Sequence, residues 1–172
     1  MKVPIPVGVR LSAEQCPKTQ EEEEDMSHVP YVSAVGRLMY EMVYTRPDIA
    51  HAVGVLSRFM SKPVKEHWTV VKWVFRYLRG TSDYGLFYQG RPRFDRVLDI
   101  HGFGNADRAG DPDQRRSTSG YVFNLFGGAV SWMSKKQSVV ELSTTEAEYM
   151  ATTHASKEAV RLQRLCSSMG LL

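Results

Sequence analysis

Apolar residues change their spacing along this chain, and each change marks an element boundary. Residues 1–29 hold no sustained apolar period. Prolines at positions 4, 6 and 17 and the acidic run from Glu21 to Asp25 predict a linker of mostly irregular structure, the run being a solvated face or else the start of a short helix. From Tyr31 onward, apolar residues recur at the three- and four-residue intervals of one helix face. Val35, Leu38, Met39 and Met42 predict a first helix, Tyr31 to Tyr44. Thr45-Arg46-Pro47-Asp48 then ends it and opens a second. Proline suits the first helical position, and Asp48 complements the positive end of the helix dipole. Ile49, Val53, Leu56 and Met60 continue the stripe. Beyond Lys62-Pro63 a third helix presents Trp68, Val71, Phe75 and Leu78 as its core face and ends near Gly80.

At Asp83 the period becomes two, the alternation of a strand. Leu86, Phe87 and Tyr88 predict a short strand, and residues 97–103 a second. Two apolar runs, Tyr121 to Phe126 and Ala129 to Met133, flank Gly127-Gly128. That is a hairpin signal, because tight turns need positive φ. Residues 144–169 read as one long helix ended by Gly170. Ser143-Thr144-Thr145-Glu146 predicts a capping box at its start, each outer residue bonding the other's backbone amide. Glu146 then shares a face with Tyr149, Thr153 and Lys157. Glu148 lines up instead with Ala151, Ala155, Ala159 and Leu162, the stripe expected to pack on the sheet. A carboxylate there is costly unless it binds a metal or a partner. The expected fold is α/β (α+β): a helical segment over residues 30–82, then an antiparallel sheet packed on one long helix over residues 83–172.

Composition narrows the class. With 42% hydrophobic and 24% charged residues, the 172-residue chain resembles ordinary globular proteins and can bury a core. No apolar run approaches the roughly 20 residues that span a bilayer, so no membrane partner is expected. The start, Met1 to Pro6, lacks the charged-then-apolar plan of a secretory signal. Cys16 and Cys166 form neither a disulfide framework nor a metal knuckle, which suits an intracellular setting, cytoplasmic or nuclear. Charge is uneven. Residues 31–96 carry eleven Lys/Arg against five Asp/Glu, a net +6, whereas residues 97–172 balance at eight and eight. A basic middle fits contact with a phosphate backbone. Arg76 and Arg79 are the candidates there, with simple solvation as the alternative.

Several motifs go further. Gly102-Phe103-Gly104-Asn105-Ala106-Asp107-Arg108-Ala109-Gly110-Asp111 is followed by Arg115-Arg116-Ser117-Thr118-Ser119-Gly120-Tyr121. Gly127-Gly128-Ala129-Val130-Ser131-Trp132 and Ser143-Thr144-Thr145-Glu146-Ala147-Glu148-Tyr149 come after them. In this order the segments resemble the ribonuclease H domain of copia-type retrotransposon polyproteins. In the helical part, Ser33-Ala34-Val35-Gly36, Thr45 to Ala50, Glu66-His67-Trp68 and Tyr77 to Thr81 look like the region joining reverse transcriptase to ribonuclease H. The resemblance runs from about Leu11 to Leu172.

That resemblance implies a chemistry. Ribonuclease H sites use carboxylates to hold two Mg²⁺ ions about 4 Å apart, which activate water and stabilise the leaving oxygen of RNA in an RNA–DNA hybrid. The first aspartate of the family's opening motif is a metal ligand; here that position is Asn105, whose amide offers an oxygen but no charge. The family's catalytic glutamate aligns with Glu148, and a boundary glutamate facing solvent is the alternative. Asp107, two residues from Asn105 on the same strand face, is the other expected ligand, or else a turn cap. Arg115 and Arg116 read as phosphate contacts or as solvated loop residues. Arg108 and Arg161 stand where large apolar residues are usual. The family's later aspartates have no counterpart before Leu172, so the expectation is a truncated domain with weak or absent Mg²⁺ binding and impaired hydrolysis. A non-catalytic nucleic-acid-binding module is the alternative. Whether a partner chain completes the sheet stays open.

Overall fold

A computed structural model describes residues 2–90 and 100–171. The chain divides into two compact units, residues 1–85 and 86–172. The first unit is helical: α1 (Gln20–Ser27), α2 (Tyr31–Tyr44), α3 (Ala50–Leu56) and α4 (Lys65–Gly80), with short 3-10 turns at Ala13–Gln15, Pro47–Ile49 and Ser57–Phe59. The second unit holds β1 (Ile100–Asp107), β2 (Thr118–Leu125), β3 (Gly128–Lys136) and α5 (Thr144–Ser168). The strands form an antiparallel sheet in the order β1-β2-β3. The mixed α/β architecture expected from the sequence is therefore what forms.

In the helical unit the core joins Tyr31, Val35 and Leu38 of α2 to Val53 and Leu56 of α3 and to Val70, Val71 and Val74 of α4. Buried Tyr31 donates its hydroxyl to the Leu56 carbonyl at 2.9 Å, so its polar end is satisfied inside the core. Two expected core residues lie outside. Met39 and Phe75 are exposed. The packed face of each helix is turned toward small and β-branched residues, Ala34 on α2 and Val70 and Val74 on α4. The acidic run forms α1, the short helix that was its alternative reading, within a segment otherwise expected to be irregular. Thr19 accepts from the Glu22 amide at 3.3 Å, and Glu22 accepts from the Lys18 amide at 2.8 Å. Three glutamates in the first turn oppose the positive end of the dipole, which stabilises so polar a helix.

Arg46 shows what Thr45-Arg46-Pro47-Asp48 does. Its guanidinium is buried and grips Asp48 bidentately at 2.9 and 2.7 Å. It also donates to the Thr81 carbonyl and hydroxyl, while Tyr77 donates its hydroxyl to Asp48 at 2.8 Å. The turn before α3 is thereby fastened to the end of α4. Burial pushes the Asp48 carboxyl up, but the bonds from Arg46 and Tyr77 outweigh it and hold the carboxyl below its ordinary value.

In the second unit the expected strand at Leu86–Tyr88 does not form. The segment instead crosses the hairpin end: Gln89 donates its amide to the Phe126 carbonyl, and Tyr88 its hydroxyl to the Ala129 carbonyl, each at 2.8 Å. Of the second predicted strand, residues 97–99 lie outside the described residues; β1 runs on from Ile100 to Asp107. The hairpin turn sits one residue earlier than Gly127-Gly128. Phe126 (φ 54°) and Gly127 (φ 81°) are the positive-φ pair. Gly128 is already in the strand, where a Cβ would lie 2.5 Å from the Tyr88 ring.

Candidate functional site

Helix α5 sets the site by packing across β1 and β2. A Cβ on Gly102 would enter the Phe123 ring at 2.3 Å, and one on Gly104 would meet the Ala155 methyl at 3.5 Å. Even-numbered positions of β1 thus face the core and α5, so by alternation Asn105 and Asp107 face away. Both are exposed.

Glu148 reaches β1 at its edge. The Ala106 amide donates to Asn105 Oδ1 at 2.8 Å and to Glu148 Oε1 at 3.4 Å. Asn105 and Glu148, far apart in sequence, therefore converge on one N–H. Asp107 does not join them. Its carboxylate lies over Gly110, where a Cβ would stand 1.8 Å from Oδ2. Among the described residues no group of three His, Cys, Asp or Glu side chains is placed to hold a metal ion. The donors present do not fit a pair of magnesium ions.

The start of α5 is capped nearly as expected. Ser143 accepts from the Glu146 amide at 3.1 Å, but Glu146 reaches back to the amide of Leu142 rather than of Ser143, at 2.7 Å. The buried line of α5 runs through Ala147, Ala151, Glu158, Leu162 and Cys166. Glu148 and Ala155 flank that line, half-buried, instead of lying on it as expected.

Polar contacts unforeseen in the sequence hold this unit together. Glu158, 9% exposed, accepts from Ser131 at 2.5 Å and from Arg161 at 2.7 and 2.5 Å. Arg161 holds the Glu158 carboxyl below its ordinary value against the opposing effect of burial. Buried Glu141 accepts from Ser117 at 2.7 Å, and buried Gln137 donates to Ser119 at 2.6 Å. Arg108 donates to the Leu142 carbonyl at 3.0 Å, tying the end of β1 to the loop before α5. The only sequence signal for any of these was Glu158 standing three residues before Arg161, on the side of α5 that packs.

The arginines expected to touch nucleic acid differ in accessibility. Arg76 and Arg79 are exposed on α4. Arg115 is exposed in the β1–β2 loop at φ 56°, whereas Arg116 is half-buried with its Nε enclosed and without a hydrogen-bond partner. No helix among the described residues is long and apolar enough to cross a membrane.

No family model matches the chain, and no solved structure matches it. Curated relatives do. The chain is 53% identical over 171 residues to the retrovirus-related Pol polyprotein from transposon TNT 1-94 of Nicotiana tabacum, covering 99% of this chain and 12% of that polyprotein. It is 43% identical over 137 residues to the Pol polyprotein from transposon RE2 of Arabidopsis thaliana, covering 80% of this chain and 9% of the relative. A shorter relative, "Secreted RxLR effector protein 161" of Plasmopara viticola, is 56% identical over 139 residues, 80% of this chain and 94% of that protein. The chain thus spans about an eighth of the tobacco polyprotein. On these identities, the chain belongs to the retrovirus-related Pol polyproteins of copia-type transposons.

Proposed function

We propose that the second unit is of the ribonuclease H type with a disabled metal site, so that the chain does not cleave RNA in RNA–DNA hybrids. One observation carries this reading: Asn105 and Glu148 meet at the Ala106 amide, an arrangement with one carboxylate where a divalent cation needs several. Glu148 and Asp107 are the carboxylates left for Mg²⁺, and their separate directions make binding weak.

Asn105→Asp tests it. The added charge beside Glu148 is expected to tighten Mn²⁺ and Mg²⁺ binding at least tenfold, about 1.4 kcal/mol, read by calorimetric titration. Glu148→Gln should cancel that gain. Hydrolysis of a labelled hybrid by the unaltered chain in Mg²⁺ would sink the proposal.

A second reading, a non-catalytic nucleic-acid-binding module, is favoured by the outer face of α4. Lys72, Arg76 and Arg79 are exposed there and have no ion-pair partner among the described residues. Phosphate contacts by these side chains would make affinity fall steeply with salt. The Arg-X-Leu-Arg pattern spelled in the Plasmopara relative's name occurs here as Arg76-Tyr77-Leu78-Arg79. It lies within α4, where Tyr77 is buried and bonded to Asp48, so we read the spacing as helix packing.

A further inference from the structure

Helices α2 and α4 leave unpartnered aromatic residues on the surface. Tyr40 and Tyr44, one helical turn apart, are 61% and 60% exposed, with ring centroids 4.3 Å apart and planes tilted by 36°. On the same side of α2, Arg37 lines a groove of about 430 Å³ that Phe75 of α4 lines from the other side. Phe75 is itself 39% exposed. Helical spacing puts Lys72 and Arg79 next to it, three and four residues away. Neither these two nor Arg37 has an ion-pair partner among the described residues. Glu41, which also lines the groove, accepts from Thr45 at 3.3 Å.

We infer that the α2–α4 face is a stacking platform for single-stranded nucleic acid. The inference deepens the nucleic-acid-binding reading above and rests on it. A duplex hides its base faces inside its own stack and offers a protein phosphates and groove edges. Exposed tyrosine and phenylalanine faces among unpaired cations suit the opposite case, unpaired bases with free faces on a phosphate backbone. Arg37, Lys72 and Arg79 supply the charge complementarity; Tyr40, Tyr44 and Phe75 supply the faces.

Fluorescence anisotropy of the full chain with labelled oligo(dT), and separately with an RNA–DNA hybrid duplex, decides the matter. The single strand is expected to bind at least tenfold more tightly than the duplex. Tyr40→Ala with Tyr44→Ala is expected to weaken single-strand binding between about fivefold and a hundredfold, the range for losing base–aromatic stacking. Both positions are exposed, so the doubly substituted chain should keep its helical circular dichroism, which is checked alongside. Equal affinity for the two ligands, or unchanged binding by that variant, overturns the single-strand inference while leaving nucleic-acid binding standing. Binding of neither ligand at low salt overturns the nucleic-acid-binding reading itself. A dimer dissolved by Tyr44→Ala, with no oligonucleotide bound, would assign the face to a second copy and overturn the inference as well.

Discussion

A single residue can look like a lapse in the sequence and be a partner in the structure. Arg161 occupies a position where the family resemblance suggests a large apolar side chain, yet its guanidinium closes on the buried carboxylate of Glu158. Ser131 on β3 supplies the remaining donor. An ion is tolerated at 9% exposure because its oxygens are met by charge-assisted bonds. Arg161→Trp, the apparent restoration, should therefore destabilise the chain, by about 1 kcal/mol given that the Arg161 side chain is itself 63% exposed. Urea midpoints of the two proteins check this, and a higher midpoint for the variant would show that Glu158 needs no cation. Asn105 differs in kind. Its side chain bonds the next residue's amide, a contact that an aspartate would make equally well, so nothing in the local packing requires the amide.

At the level of elements, the sequence was readable wherever a period ran long enough to be repeated. Helices α2, α4 and α5 and the β2–β3 hairpin lie where their apolar spacing placed them. The rotation of each helix was less legible. Met39 and Phe75 are as apolar as the residues that bury, and only neighbouring helices decide which flank is covered. Leu86, Phe87 and Tyr88 read as a strand but find no ladder, because the segment's bonds go to the hairpin end. At the candidate site, the nearness of Asn105 and Glu148 is what the family resemblance implied; helix geometry alone put Glu148 on the packed line of α5, which it only flanks. The turning away of Asp107 was not, since it depends on the bare backbone at Gly110. The hairpin turn was misplaced by one residue because two glycines in a row conceal which of them turns. Phe126 consequently holds φ 54°, a conformation costly for a bulky side chain. Phe126→Asn keeps the turn and removes that cost, since asparagine enters the left-handed region readily. The expected gain is about 1 kcal/mol, seen as a raised thermal midpoint. A lowered midpoint would mean that the Phe126 ring contributes more by packing than its backbone loses.

For the whole chain, the two units differ in what stabilises them, and the difference can be measured. Among the described residues, the helical unit buries a continuous apolar cluster from Leu11 to Tyr77. The sheet unit buries Phe123, Ala147, Ala151, Leu162 and Cys166 as its apolar residues and otherwise relies on polar contacts such as Ser117–Glu141 and Gln137–Ser119. Burial of apolar area is the dominant favourable contribution, so the sheet unit should yield first. The three tryptophans separate the signals: Trp68 and Trp73 lie on α4, Trp132 on β3. In urea, a chain keeping Trp132 alone should lose its signal at lower denaturant than one keeping Trp68 and Trp73. Acid should then narrow the gap from the other side. His67 is fully buried, stacks on Phe59, and accepts the Val64 amide on Nδ1 at 3.1 Å at the start of α4. Burial lowers its proton affinity, with Glu66 opposing, so the folded unit prefers the neutral ring. The unfolded chain binds the extra proton more readily, and stability present above the ordinary histidine value of about 6.5 is lost as pH falls below it. The Trp68 and Trp73 midpoint should thus drop between about pH 7 and pH 5, before Asp48 and Glu158, whose folded values are both lowered, begin to take up protons. Coincident transitions at every pH would show that the chain unfolds as one body and that the apolar cluster of the helical unit supports both.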